Sequence, residues 1–284
     1  MAEIKKLTKK KYPVKLPHYD VSIDILKSSN GRDWSHDYYN IDVIHANGFT
    51  GAGVKVAVID TGIDLTHSCF KKANEEGRIK TFDSRPRKNN PTDGNGHGSW
   101  VASRYIGTNS IVGFSPDVEL YVYKALEDDG TGDIEIIIKA AKHAIDSGCH
   151  IISTSVGWPD DYPRFQSIVD YAESKNVLWI SASGNDYSKD DIDYPAVLRY
   201  IISCGSINKK GKRSNFSDFG KELDLYSSGE DVIGAYTKNR NAVMDGTSMA
   251  TPSLGALFSL VYFYIIEQYG SVNREIIKKI ATCL

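Results

Sequence analysis

The chain predicts an α/β domain: a three-layer arrangement with a largely parallel central sheet and helices on both faces. Two observations carry this. Short apolar, β-rich runs alternate with stretches of helical periodicity through the middle of the sequence, the pattern of a parallel sheet covered on each side. The 284 residues, 41% of them apolar, suffice for one large globular domain.

The elements follow in order. Residues 54–59 are a β-rich run that ends in Asp60-Thr61-Gly62, so a carboxylate stands at the end of a buried strand. Residues 118–123 read as a second strand. Residues 132–147 read as a helix, with Ile134, Ile137, Ile138, Ala141 and Ile145 at helical spacing and Gly148 as a stop. A strand begins at Ile151-Ile152, and residues 163–175 form a helix with Phe165, Ile168, Val169 and Ala172 on one face. Residues 177–180 and 200–203 are further strands. Residues 254–266 are an apolar run of 13 residues containing Gly255 and Ser259. That is short of the ~18–20 a bilayer span needs, so a buried core helix is expected and no membrane span.

The net charge of −2 gives no overall field for nucleic acid. Lys5, Lys6, Lys9, Lys10 and Lys11 crowd one short stretch, the pattern of a solvated tail. The first twenty residues carry charge and no apolar leader segment, and cytoplasmic residence is expected. Cys69, Cys149, Cys204 and Cys283 lie far apart and form no metal-type pair. Cys149 and Cys204 sit in strand contexts and read as reduced core thiols.

Three blocks carry chemistry. Asp245-Gly246-Thr247-Ser248-Met249-Ala250-Thr251-Pro252 sets a serine among small residues just before the apolar helix. There free backbone N–H groups and the positive dipole end favour a developing oxyanion, although Ser and Thr are also ordinary N-caps. Asn95-Gly96-His97-Gly98-Ser99 flanks a histidine with glycines that permit close backbone approach. With Asp60, these supply an orienter, a base and a nucleophile in the order Asp, His, Ser.

At residues 58–62, 96–98 and 246–250 the chain resembles the subtilisin-like serine peptidases, the subtilases, and the resemblance runs from about residue 46 to about residue 268. It implies a serine endopeptidase that hydrolyses peptide bonds through an acyl-enzyme. Ser248 would attack, His97 would act as base and then acid, and Asp60 would hold the imidazole. It implies that Asn185, in Ser181-Ala182-Ser183-Gly184-Asn185, donates to the oxyanion together with the Ser248 N–H. It further implies substrate binding by Gly130, Thr131 and Gly132, by Ser155, Val156 and Gly157, and by Ala182, Ser183 and Gly184. An extended peptide would pair between the first two segments. Trp158, Tyr162 and Tyr187 are candidates for subsite walls. Asp186, Asp190, Asp191 and Asp193 read as solvated loop charges, with a preference for basic substrates as the alternative. A degradative and a narrow processing role both stand open.

Departures from the family pattern carry information. Subtilases commonly read Gly-His-Gly-Thr-His, and here Ser99 and Trp100 follow Gly98. After Pro252 the chain has Ser253-Leu254-Gly255-Ala256 in place of His-Val-Ala-Gly. Cys69 replaces a carboxylate that often ligates calcium, and the loop at residues 107–110 is short, so the family's high-affinity calcium site is expected to be absent and no cofactor required. Residues 1–45 form an N-terminal extension, too short for a folded chaperone prodomain, ahead of a catalytic domain at 46–284. Intracellular subtilases resemble this layout, which implies that Leu16-Pro17-His18-Tyr19 can lie across the cleft as an intramolecular inhibitory segment; a surface tether is the alternative. Asp-Thr-Gly is also the signature of aspartic peptidases, but those need two such carboxylates and the chain has one. A non-catalytic binding protein on the same fold would not require the His97 and Ser248 blocks together.

Overall fold

The computed structural model describes residues 12–23 and 30–281. The strands are β1 (Pro13–Lys15), β2 (Asp20–Ile23), β3 (Lys55–Asp60), β4 (Ile79–Asp83), β5 (Glu119–Lys124), β6 (Thr131–Asp133), β7 (Ile151–Thr154), β8 (Leu178–Ala182), β9 (Ile201–Ile207), β10 (Leu225–Ser228), β11 (Val232–Tyr236) and β12 (Arg240–Asp245). The helices are α1 (Trp34–Tyr38), α2 (Ile41–Ala46), α3 (Lys71–Glu75), α4 (His97–Ile106), α5 (Ile134–Asp146), α6 (Pro163–Ser174), α7 (Thr247–Tyr269) and α8 (Arg274–Ala281).

Seven strands form one sheet in the order β10-β9-β8-β7-β3-β5-β4, and every neighbouring pair is parallel. Parallel strands need crossovers, and the helices lie on both faces as the alternating pattern predicts. One apolar cluster packs α4 and α7 against Val56, Val58, Leu120 and Val122; the other packs α5 and α6 against Ala57, Ile59, Tyr121 and Tyr123. The side chains of β3 alternate between the two clusters because successive residues of a strand face opposite ways. The strand order turns at β3, with β5 on one side and β7 on the other. A crevice at the carboxyl ends of the strands is expected at such a point.

Helix α7 is longer than the apolar run suggested: it starts at Thr247 and runs 23 residues. It is thus long and apolar enough to cross a membrane, a correction to the length read from the 13-residue run. However, 67% of its most apolar window is buried in the protein, so it is a core helix here. Cys69, Cys149 and Cys204 are free and buried, and burial pushes the Cys149 thiol up to about 12. The lysine run and Cys283 lie outside the described residues.

The segment before residue 46 contributes to the packed domain. Ile41 is fully buried, and Asp33 caps α1 through the Ser35 N–H. The other Asp33 oxygen accepts from Arg104 at 2.8 Å and from the Ile233 N–H at 2.8 Å. Burial alone would raise the Asp33 carboxyl, but Arg104, with hydrogen bonds from His36 and Ser35, overrides this and holds it well below the usual carboxylate range. That stability is present at neutral pH and is lost as the pH falls below the ordinary carboxylate range. The Arg104 guanidinium also bonds Ser35 and Ser253 and stacks over Phe114 at 4.3 Å. Arg104→Leu leaves a buried unpaired carboxylate and is expected to cost about 3–5 kcal/mol, read as a lowered urea midpoint.

Candidate active site

Asp60 ends β3 and is fully buried, and its Oδ1 accepts the Thr61 N–H at 2.7 Å. Helix α4 opens on His97, and its N-terminus packs directly on the Asp60–Gly62 turn. Gly96 takes φ +110°, and a Cβ there would overlap the Tyr236 ring. A Cβ on Gly98 would overlap the Gly62 carbonyl. Glycine at both positions is therefore a packing requirement. The result is an imidazole whose Nδ1 lies 2.9 and 3.0 Å from the two Asp60 oxygens. A carboxylate there favours the tautomer with the proton on Nδ1, which leaves Nε2 as the free acceptor.

Sequence reasoning missed the group that holds this turn. Asp93 is 3% exposed. Its Oδ1 accepts from the Asn95 and Gly96 N–H groups and from the Thr61 hydroxyl, each at 2.9 Å. Its Oδ2 accepts from the Ser99 N–H at 2.8 Å and the Ser99 hydroxyl at 2.7 Å. Ser99, one of the departures from the family pattern, thus joins the Asp93 network. The available signal was the Asp-Gly-Asn-Gly run, whose carboxylate can close an Asx turn. Lys124 was also missed; it is buried at the end of β5, and its ammonium donates to the Thr61 carbonyl and to Asp128. Trp100 is structural: its ring lies over Gly234 and its indole N–H donates to the Ala242 carbonyl at 3.1 Å.

Ser248 is the second residue of α7 and is fully buried. Its hydroxyl donates to the Ser155 carbonyl at 3.4 Å, while the Ser155 hydroxyl donates to the Ser248 carbonyl at 3.0 Å. Among the described residues His97 Nε2 is buried without a partner, and no hydrogen bond joins it to Ser248. Asn185 is oriented by Thr247, whose N–H and hydroxyl donate to its Oδ1 at 2.9 and 2.8 Å. That fixes the Asn185 amide nitrogen toward the cleft.

The N-terminal segment occupies that cleft. β1 pairs antiparallel with β6 in the register Val14↔Gly132 and Lys15↔Thr131. The Leu16 N–H donates to the Gly130 carbonyl at 3.1 Å, and the Gly157 N–H donates to the Lys15 carbonyl at 3.2 Å. Gly130, Thr131, Gly132 and Gly157 thus meet a peptide strand from two sides. Asn185 Nδ2 donates to the His18 carbonyl at 2.6 Å. Tyr19 then lies over His97, ring centroids 4.9 Å apart, with its hydroxyl donating to Asn95. β2 leaves on the other side, paired with β12. Residues 12–23 therefore form a strap held at both ends.

The remaining candidates separate. Tyr162 packs on Tyr12 of the strap at 4.3 Å, whereas Trp158 is buried against Phe165 and Tyr187 is exposed. Val156, Ala182 and Ser183 are buried beside the cleft segments. Asp190 accepts from the Lys221 N–H, outside the cleft contacts.

An Asp–His pair at the carboxyl end of a parallel sheet, a helix-initial serine and an aligned amide donor around a bound peptide strand define the layout of a serine hydrolase acting on peptides. Comparison with known proteins narrows this. The subtilase family model matches residues 51–275, and the chain belongs to that family. It is 36% identical to the intracellular serine protease of Paenibacillus polymyxa over 218 residues, 74% of this chain and 67% of that protein. It is 33% identical to the major intracellular serine protease of Bacillus subtilis over 232 residues, 79% of this chain and 73% of that one. It is 35% identical to subtilisin BL of Lederbergia lenta over 231 residues, covering 80% and 83%.

Proposed function

We propose that the chain is a serine endopeptidase in which Ser248, His97 and Asp60 act as one unit and the strap at residues 12–23 holds it at rest. The observation that carries this reading is the peptide already seated in the cleft, with the His18 carbonyl on Asn185 and Tyr19 over His97. In the reaction, the Ser248 hydroxyl attacks the substrate carbonyl as His97 Nε2 takes its proton. Asp60, hydrogen-bonded to Nδ1, holds the ring and stabilises the imidazolium. The Asn185 amide and the Ser248 N–H stabilise the oxyanion. His97 then delivers the proton to the leaving amine, and water releases the acyl group by the reverse sequence. Removing one oxyanion donor costs about 10²–10³ in kcat. Asn185→Ala should therefore show that loss with little change in KM, measured on a chain whose strap has been opened by Leu16→Asp. The direct test is labelling with a fluorophosphonate: modification at Ser248 in the opened chain, absent in Ser248→Ala, supports the reading, and no modification at Ser248 overturns it.

Backbone pairing along β6 and Gly157 gives affinity with little choice of side chain, which favours broad degradation over processing of one precursor. A cytoplasmic setting is supported by two relatives named as intracellular proteases and by three free buried thiols. Calcium is not expected to be needed at residue 69. The Cys69 thiol is fully buried with its Sγ 3.1 Å from His67 Nδ1, a donor set unsuited to an ion that takes six to eight oxygens. Excess chelator should shift the melting temperature by less than about 2 °C; a larger drop would mean that a stabilising ion is bound.

A further inference from the structure

One carboxylate beside the cleft has no part in the chemistry above. The Asp193 N–H donates to the Ser183 carbonyl at 3.0 Å, which ties the residue to the segment that carries Asn185. A Cβ built on Gly157 would lie 2.5 Å from Asp193 Oδ2, and one built on Gly184 would lie 3.1 Å from the same oxygen. The carboxylate therefore touches the backbone of two peptide-binding segments, and it can do so only because both residues are glycines. Gly157 is the residue that pairs with Lys15 of the strap, and Gly184 immediately precedes the oxyanion donor. A peptide seated like the strap passes between these two anchors, beside Asp193. Two residues beyond Lys15, on the same face of the strap, stands Pro17, which is buried and uncharged.

Asp193 is half-buried and its carboxylate has no hydrogen-bond or ion-pair partner among the described residues, whereas that of its neighbour Asp218 accepts the Asp186 and Ser188 N–H groups at 3.1 and 2.7 Å. Burial, then Asp218, Asp186 and Asp191, push the Asp193 carboxyl up to about 7, and Lys15 acts in the opposite sense. Burial likewise pushes Asp218 up to about 6. Carboxylates crowded in this way are relieved by a cation, and a substrate can bring one at the position between Gly157 and Gly184.

We propose that Asp193 is a specificity-determining residue that makes the cleft prefer a basic side chain, arginine or lysine, at the position that Pro17 holds in the strap. This rests on the peptidase reading and adds a choice at one position to a cleft that otherwise recognises backbone.

The test uses the Leu16→Asp chain and peptide amides that differ only in the residue at that position: arginine, lysine, phenylalanine or leucine. A charge-assisted contact at this depth predicts kcat/KM about 10- to 100-fold higher for arginine and lysine. Asp193→Asn should abolish that preference while the phenylalanine rate holds or rises, because the crowding of carboxylates is relieved as well. A merely structural role would lower all four rates together. Equal rates for phenylalanine and arginine in the parent chain, or a uniform loss in Asp193→Asn, overturns the proposal. Fluorophosphonate labelling is scored in parallel: a chain that labels at Ser248 but shows no basic preference keeps the peptidase reading and loses this one, and a chain that does not label loses both.

Discussion

Ser248→Ala is expected to lower kcat/KM by about 10⁶ in a chain whose strap has been opened, because the residue supplies the only bond that forms with the substrate. KM should stay within a few-fold, since peptide pairing uses β6 and Gly157 and needs no Ser248 hydroxyl. His97→Ala should cost about as much, and the double variant no more than either single one, because the base has nothing to do without the nucleophile. Such non-additivity is the diagnostic outcome. Additive losses would mean that the two side chains act independently, and the unit proposed here would fail. A residual rate above water should persist in Ser248→Ala, since Asn185 and the Ser248-position N–H still polarise the carbonyl. In the strapped structure the Ser248 hydroxyl faces the Ser155 carbonyl and His97 Nε2 lacks a partner. If the three side chains act as one unit, opening the strap is expected to bring Ser248 and His97 into hydrogen-bond contact, and the comparison belongs in the opened chain.

What the sequence made legible follows from where the information is stored. Asp60, His97 and Ser248 stand out in the sequence because each depends on its immediate neighbours, a strand end, flanking glycines and a helix start; the structure joins Asp60 to His97 and leaves Ser248 on the Ser155 carbonyl. Asn185 was legible only through family resemblance; its orientation comes from Thr247, a residue 62 positions away. Asp93 offered only a weak local signal, an Asx turn toward Asn95 and Gly96, while its tie to the Thr61 hydroxyl and the reach of Lys124 to the Thr61 carbonyl join residues 32 and 63 positions apart, contacts that neither periodicity nor composition registers. The β11–β12 hairpin escaped for a related reason. Its residues join a small sheet with β2 that closes the cleft, and neither strand alternates cleanly between apolar and polar faces. The apolar run marked only the body of α7, residues 254–266; its first turns, Thr247 to Ser253, carry a single large apolar side chain and give no hydrophobic stripe, although Ser248 was expected at a helix N-terminus. Asp193 was weighed with its acidic neighbours as loop charge; only its contact with Gly157 and Gly184 separates it from them.

Breaking the strap is expected to raise peptide hydrolysis by roughly 10²–10³. A peptide segment binding on the order of micromolar, tethered at about millimolar effective concentration, leaves about one molecule in 10³ open. Val14 is 3% exposed and packs at Gly132 beside Leu126, and Leu16 lies against Gly130, so a carboxylate at either position cannot be accommodated without desolvation. Leu16→Asp and Val14→Asp should each raise kcat/KM, and titration of active sites should show that the gain is in the fraction available, with the turnover per open site unchanged. The strap should also survive intact in the parent chain. Its His18 carbonyl takes the Asn185 amide but, among the described residues, no bond from the Ser248 N–H, so the peptide lies in the cleft with half of the oxyanion site engaged. A synthetic peptide of residues 12–23 added to the Leu16→Asp chain should inhibit competitively and remain uncut for many turnovers of a good substrate. Unchanged activity in both variants, together with no inhibition by the peptide, would leave residues 12–23 as a surface tether. Rapid cleavage at His18–Tyr19 would make them a substrate.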